Sequence, residues 1–174
     1  SRNIASTIVI DNKLKFAESR KSGIRKALSL NIEVGESNDV DGFWHVLEDN
    51  LGNRYNAKPV HTASEMKLLM SRFPNNIKLY VAKMNGEIVG GTLIYVTPQV
   101  VHTQYISASV EGKKHGALDL LFDYIINKVY ANCRYFDFGK STEQGGAYLN
   151  EPLIFQKEGF GGRGVCYDWY QWEL

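Results

Sequence analysis

Residues 101–130, VHTQYISASVEGKKHGALDLLFDYIINKVY, constrain the fold more than any other stretch of the chain. They read as a strand, a turn and a long amphipathic helix. Leu118, Leu121, Phe122, Ile125, Ile126 and Val129 recur at i, i+3, i+4, i+7, i+8 and i+11, one apolar face at 3.6 residues per turn. Before them, Val101, Thr103, Tyr105 and Ser107 alternate with His102, Gln104, Ile106 and Ala108, in a run rich in β-branched and aromatic residues. The join holds Gly112, Lys113, Lys114, His115, Gly116 and Ala117. A helix start carries unpaired N–H groups and partial positive charge. Two glycines allow close backbone approach and two lysines add charge, so the join reads as a seat for a phosphate or diphosphate. An ordinary turn with solvated lysines is the alternative.

The rest of the chain supplies a sheet for that helix. Ile77–Met84 and Glu87–Val96 flank Asn85-Gly86, which predicts a two-residue type I′ hairpin. Gly90-Gly91 predicts a bulge or a close backbone approach. Pro98-Gln99 turns into the Val101 strand. Tyr135–Phe138 reads as a strand, Gly139–Gly146 as a polar loop, Tyr148–Glu158 as a helix closed by Gly159, and Val165–Trp172 as a final aromatic strand. Upstream, Ile4–Ile10 and Asn31–Glu36 read as short strands. Lys13–Ser29 reads as a basic helix, a solvated face or else a docking surface for an anion or a neighbouring domain. Ser37 or Asn38 is expected to cap the helix at Phe43–Glu48, and Ser64 the helix stopped by Pro74. The fold class is therefore α/β (α+β-like), a single mainly antiparallel mixed sheet flanked by helices.

With 174 residues, 44% of them hydrophobic, the chain can bury one substantial core. A net charge of +1 makes no electrostatic case for DNA. The four histidines and two cysteines show no metal-ligand spacing, so no metal is expected. Cys133 and Cys166 read as buried or half-buried thiols of a reducing compartment. No segment is apolar over a membrane-spanning length and no signal peptide is visible, which reads as cytoplasmic.

The element order, with Lys113-Lys114-His115-Gly116-Ala117-Leu118 between strand and long helix, resembles the GNAT acyltransferase fold. Phe155-Gln156-Lys157-Glu158-Gly159-Phe160 is similar to that family's closing motif, with Phe155 where many members place a proton-donating tyrosine. His102-Thr103-Gln104-Tyr105, Phe136-Asp137-Phe138-Gly139-Lys140-Ser141, Leu149-Asn150 and Lys157-Glu158-Gly159-Phe160-Gly161 resemble the branch related to the Fem peptidyltransferases. Ser22–Ala27 is similar to the segment that joins the two halves of such proteins. The resemblance implies a connector over residues 1–35 and a GNAT-like domain over 36–174. It implies an N-acyltransferase moving an acyl group from acetyl-CoA or another acyl-CoA to a small-molecule amine, such as an amino sugar or cell-envelope precursor. An aminoacyl-tRNA-dependent peptidyltransferase and a degenerate binding module are the rivals. A missing N-terminal lobe and a homodimer are both compatible with it.

On that reading the enzyme must align two reactants, stabilise an oxyanion and accept a proton. Glu143 is the preferred base. His102 is the second candidate, because a histidine titrates near neutral pH, although it starts its strand about eight residues from the turn, at about 3.3 Å each. Asn150 either bonds the acceptor or holds its loop. Gln104, Tyr105, Asp137, Lys140 and Lys157 are the candidate substrate contacts. In a regular strand Gln104 shares a face with His102 and Tyr105 does not. Asp137, between two phenylalanines, needs a partner, which Lys140 or Lys157 would supply.

Overall fold

Asn85 and Gly86 both take positive φ, 52° and 82°, and close the hairpin on which the sheet is built. The computed structural model describes residues 1–173, with the backbone alone at 54 and 55. The chain runs β1 (Arg2–Val9), α1 (Glu18–Ser29), β2 (Glu33–Ser37), α2 (Val40–Tyr55), α3 (Ala63–Arg72), β3 (Ile77–Met84), β4 (Glu87–Val96) and β5 (Val100–Ala108). It continues with α4 (Val110–Lys114), α5 (Ala117–Tyr124), β6 (Tyr135–Lys140), β7 (Thr142–Glu143), β8 (Tyr148–Leu149), α6 (Glu151–Gly159) and β9 (Arg163–Asp168). Seven strands form one sheet in the order β2-β3-β4-β5-β6-β1-β9, and β7 and β8 form a separate hairpin. Every pairing in the large sheet is antiparallel except β5 with β6.

Each face of the sheet has its own core. On one, α1 and α5 cover Ile8, Tyr80, Ile94, Val101 and a group of phenylalanines. Phe122 of α5 stands 5.2 Å from both Phe138 and Phe160, and Phe136 meets Phe138 at 5.2 Å. Burying each ring contributes roughly 1.5–3 kcal/mol. On the other face, α2 and α3 bring Phe43, Trp44, Leu47 and Met66 onto Leu79, Val81 and Leu93. Gly91 lets this happen, because a Cβ there would lie 2.7 Å from the Phe43 ring.

Several boundaries move from their expected places. The long helix is interrupted: α4 is one short turn capped by the Ser109 side chain, Gly116 restarts the helix at φ 74°, and Ile125–Val129 closes it as a π turn. The cap of α2 is Asp39, whose carboxylate accepts from Gly42 N at 2.9 Å. The cap of α3 is Thr62, in a reciprocal capping box with Glu65. The first 35 residues are woven into the fold. β1 lies between β6 and β9, and the expected boundary at 35/36 falls inside β2. Cys133 is half-buried, whereas Cys166 is exposed on β9. No described helix is long and apolar enough to cross a membrane.

The α1–α5 contact depends on two glycines, because Gly116 packs directly on the backbone of Gly23. Gly116→Ala adds a Cβ in a left-handed conformation and against that backbone. The substitution is expected to cost on the order of 2–3 kcal/mol. Urea unfolding of the two proteins checks this.

Candidate active site

The parallel pairing of β5 with β6 covers three residue pairs, Val100–Tyr135, Val101–Phe136 and His102–Asp137. Beyond them the strands part. A β-bulge marks the point on each side. In β5, Gln104 is an extra residue opposite Leu93 and Ile94 of β4. In β6, Phe138 and Gly139 together face Ser6 of β1, with Gly139 at φ 71°. A cavity of about 860 Å³ opens at this place, lined by residues of β1, β5, β6 and the β9 end.

His102 and Asp137 form its floor. His102 Nδ1 lies 2.6 Å from Asp137 Oδ2, and Thr7 Oγ1 donates to Asp137 Oδ1 at 2.8 Å. Burial pushes the Asp137 carboxyl up, but the hydrogen bonds from His102, Thr7 and the Gly139 backbone, with the His102 charge, outweigh it and hold the group below its ordinary value. An ionised Asp137 only accepts, so Nδ1 of His102 carries a proton, and Nε2 is the ring atom that can accept one when the ring is uncharged. The ring is 35% exposed at the cavity and rests against Gly139, whose Cβ position is 3.2 Å from Cε1. The partner expected for Asp137 was a lysine; His102 and Thr7 take that place.

Lys157 reaches the same strand end from α6. Its ammonium donates to Gly139 O at 3.0 Å, Lys140 O at 2.8 Å and Ser141 Oγ at 2.9 Å. Burial brings its pKa down to about 8, with the Asp137 charge acting the other way. It therefore holds the bulge of β6 in place behind His102.

Gln104 and Lys140 line the cavity, and Tyr105 does not. The bulge at Gln104 shifts the alternation, so His102 and Tyr105 share a face after all: their partners Tyr95 and Leu93 stand two residues apart on β4. Tyr105 is tied elsewhere, its hydroxyl 2.7 Å from His61 Nδ1 and its ring against Trp44. Glu143 and Asn150 pair with each other, Nδ2 to Oε1 at 2.7 Å, on the small hairpin outside the cavity. Asn150 also caps α6. Phe155 is 70% exposed on the outside of α6.

The expected phosphate seat is covered at its glycines, whereas Lys113 and Lys114 are exposed and Lys113 lines a second cavity of about 810 Å³ with Ser109 and Glu111. Gly112 is buried against the carbonyl of Val89, Gly116 against Gly23, and Ala117 is fully buried. Lys113 bonds Asn50, the Lys114 carbonyl accepts from Lys26, and His115 Nδ1 lies 3.3 Å from Glu111. Asp119, in the first turn of α5, already places a carboxylate there, and it accepts from Arg20 of α1 at 2.6 Å. Burial pushes the Asp119 carboxyl up against the opposing pull of Arg20. Arg20, read from sequence as part of a solvated basic face, is thus largely enclosed. Among the described residues, no group of His, Cys, Asp and Glu is arranged to hold a metal.

Thr7, Asn3, Tyr167, Asp168 and Trp169 were not anticipated at the site. The sequence read Val165–Trp172 as one aromatic strand, but β9 runs Arg163–Asp168, and nothing in the pattern placed it beside β1.

The model of the acetyltransferase (GNAT) domain family matches residues 15–148. No curated relative matches the chain in sequence. Among solved structures, FemX is 14% identical, with a TM-score of 0.68 over 92% of this chain and 59% of its own. L-PGS from Bacillus licheniformis is 15% identical, with a TM-score of 0.66 over 95% and 59%. The aminoglycoside acetyltransferase meta-AAC0020, from an uncultured soil metagenomic sample, is 15% identical, with a TM-score of 0.55 over 84% and 99%. The chain thus spans about three fifths of the length of the first two, whose fold it shares.

Two measurements bear on this geometry. Lys157→Met leaves three acceptors without their donor and should cost on the order of 3 kcal/mol in urea unfolding. Asp137 has a folded pKa below its unfolded value, about 3.9, so its contribution is complete above that value and is lost as pH falls through the folded one. Between those two values the stability of the wild type should therefore fall with pH more steeply than that of Asp137→Asn.

Proposed function

Because the chain belongs to the GNAT acetyltransferase family, we propose that it transfers an acyl group to an amine in the cavity where β5 and β6 part. The observation that carries this reading is the His102–Asp137 hydrogen bond at 2.6 Å, set at the point of divergence with the far ring nitrogen at the cavity. The amine nitrogen attacks the acyl carbon, forming the C–N bond. The bond from that carbon to the donor's leaving atom then breaks. His102 Nε2 takes the proton that the amine sheds, and Asp137 stabilises the resulting imidazolium through Nδ1. The proton then passes to the leaving atom. Past His102 the β6-facing edge of β5 pairs with no strand among the described residues, so its peptide N–H groups are the oxyanion donors of this scheme.

The family generally uses acyl-CoA as donor. The residues at the α5 start do not fit its diphosphate while α1 lies over them, because Gly23 and the Asp119–Arg20 pair fill the place. A second reading takes an aminoacyl-tRNA ester as donor. Fem-like identity of substrate, a further lobe preceding this chain and a pairing of two copies belong to the same proposal.

The test offers amine acceptors with labelled acetyl-CoA or aminoacyl-tRNA and counts the amide formed. His102→Ala should lower turnover by about 10²–10⁴-fold with the fold intact by circular dichroism. Wild-type turnover in that variant would remove His102 from the mechanism.

A further inference from the structure

The wall of the cavity opposite His102 is aromatic. Tyr167 is the β9 partner of Asn3, and Trp169 follows the strand's end, where its N–H donates to the Ser1 carbonyl at 2.7 Å; both line the cavity, 46% and 71% exposed. The Tyr167 phenol is pushed up by burial and by the charge of Asp137, which places it within electrostatic reach of the catalytic pair. Around the rings stand the planar groups of Asn3, Gln104 and Asp168 and the ammonium of Lys140. Gln104 and Lys140 side chains make no hydrogen bond with other described residues. The Asp168 carboxylate is fixed by Arg2 through two hydrogen bonds, at 2.6 and 2.9 Å.

We propose, resting on the acyl-transfer reading, that this wall binds the acceptor as a saccharide, a pyranose carrying a free amine. The faces of a sugar ring are C–H groups polarised by neighbouring oxygens, and they stack on the negative face of an aromatic ring. Its rim of hydroxyls asks for planar amides and carboxylates, which this cavity supplies beside the rings. A flexible alkyl amine would use neither feature. Large aromatic faces exposed at a polar cavity mark a contact surface. The volume, about 860 Å³, lies within the range of small-molecule sites, about 300–1,000 Å³. The ring would stack on Trp169 and Tyr167 with its free amine directed to His102.

Calorimetric titration of the 174-residue chain with a glucosamine dimer, against 1,6-diaminohexane, tests this. The saccharide should bind at least about tenfold more tightly, and Trp169→Ala and Tyr167→Ala should each lose about tenfold. Equal affinity for the diamine, or unchanged saccharide binding in Trp169→Ala, overturns the proposal. Saccharide binding that needs Trp169, in a protein that transfers no acyl group, would sustain this inference and sink the reaction.

Discussion

Three residue pairs of parallel ladder join the two halves of the sheet. On one side of that seam lies the β2–β5 meander, and on the other lie β6, β1 and β9. Parallel strands ordinarily stay together along their length, because each unpaired peptide group costs free energy unless water or a ligand satisfies it. Here both strands carry an extra residue next to the seam, and the bulges turn them apart. The cavity, the placement of His102 over Asp137 and the open edge of β5 all follow from that divergence. Lys157 belongs to the same device, since its ammonium ties together the carbonyls where β6 bends.

The two faces of the sheet are used differently. On the face of the phenylalanine core, α1 fills the space over the α5 start and touches the α6 end, where Ala17 N donates to Gly159 O at 2.8 Å and Phe16 meets Phe160. The glycine pair Gly23 and Gly116 allows backbone-to-backbone contact, and Asp119 with Arg20 neutralises the helix start from within. The other face is covered by α2 and α3 over the meander, and the cavity opens beyond them beside β1 and β9. The glycines expected to cradle a phosphate at the join of strand and helix are therefore engaged in holding the fold.

Much of the architecture was legible from local pattern. Asn85-Gly86 located the hairpin, the apolar face from Leu118 to Ile126 located α5, and the β-rich run located β5. The family resemblance drew attention to Asp137 and Lys157. Glu143 stood out among loop polar residues, yet it lies with Asn150 on a hairpin whose existence the residues GKSTEQGG do not announce. Parity arguments on His102, Gln104 and Tyr105 were defeated by one inserted residue. A bulge depends on how the neighbouring strands meet, and no periodicity within β5 reports it.

By itself the sequence determined most of the elements, their approximate order and the apolar helix face that must be buried, because these follow from side-chain period and turn chemistry within a few residues. Tertiary structure alone decided that the first strand enters between β6 and β9, that α1 closes the α5 start, and that His102 meets Asp137. Those outcomes rest on contacts between residues 35, 99 or 130 positions apart. Such contacts form only where the packing of whole elements brings the groups within hydrogen-bond reach.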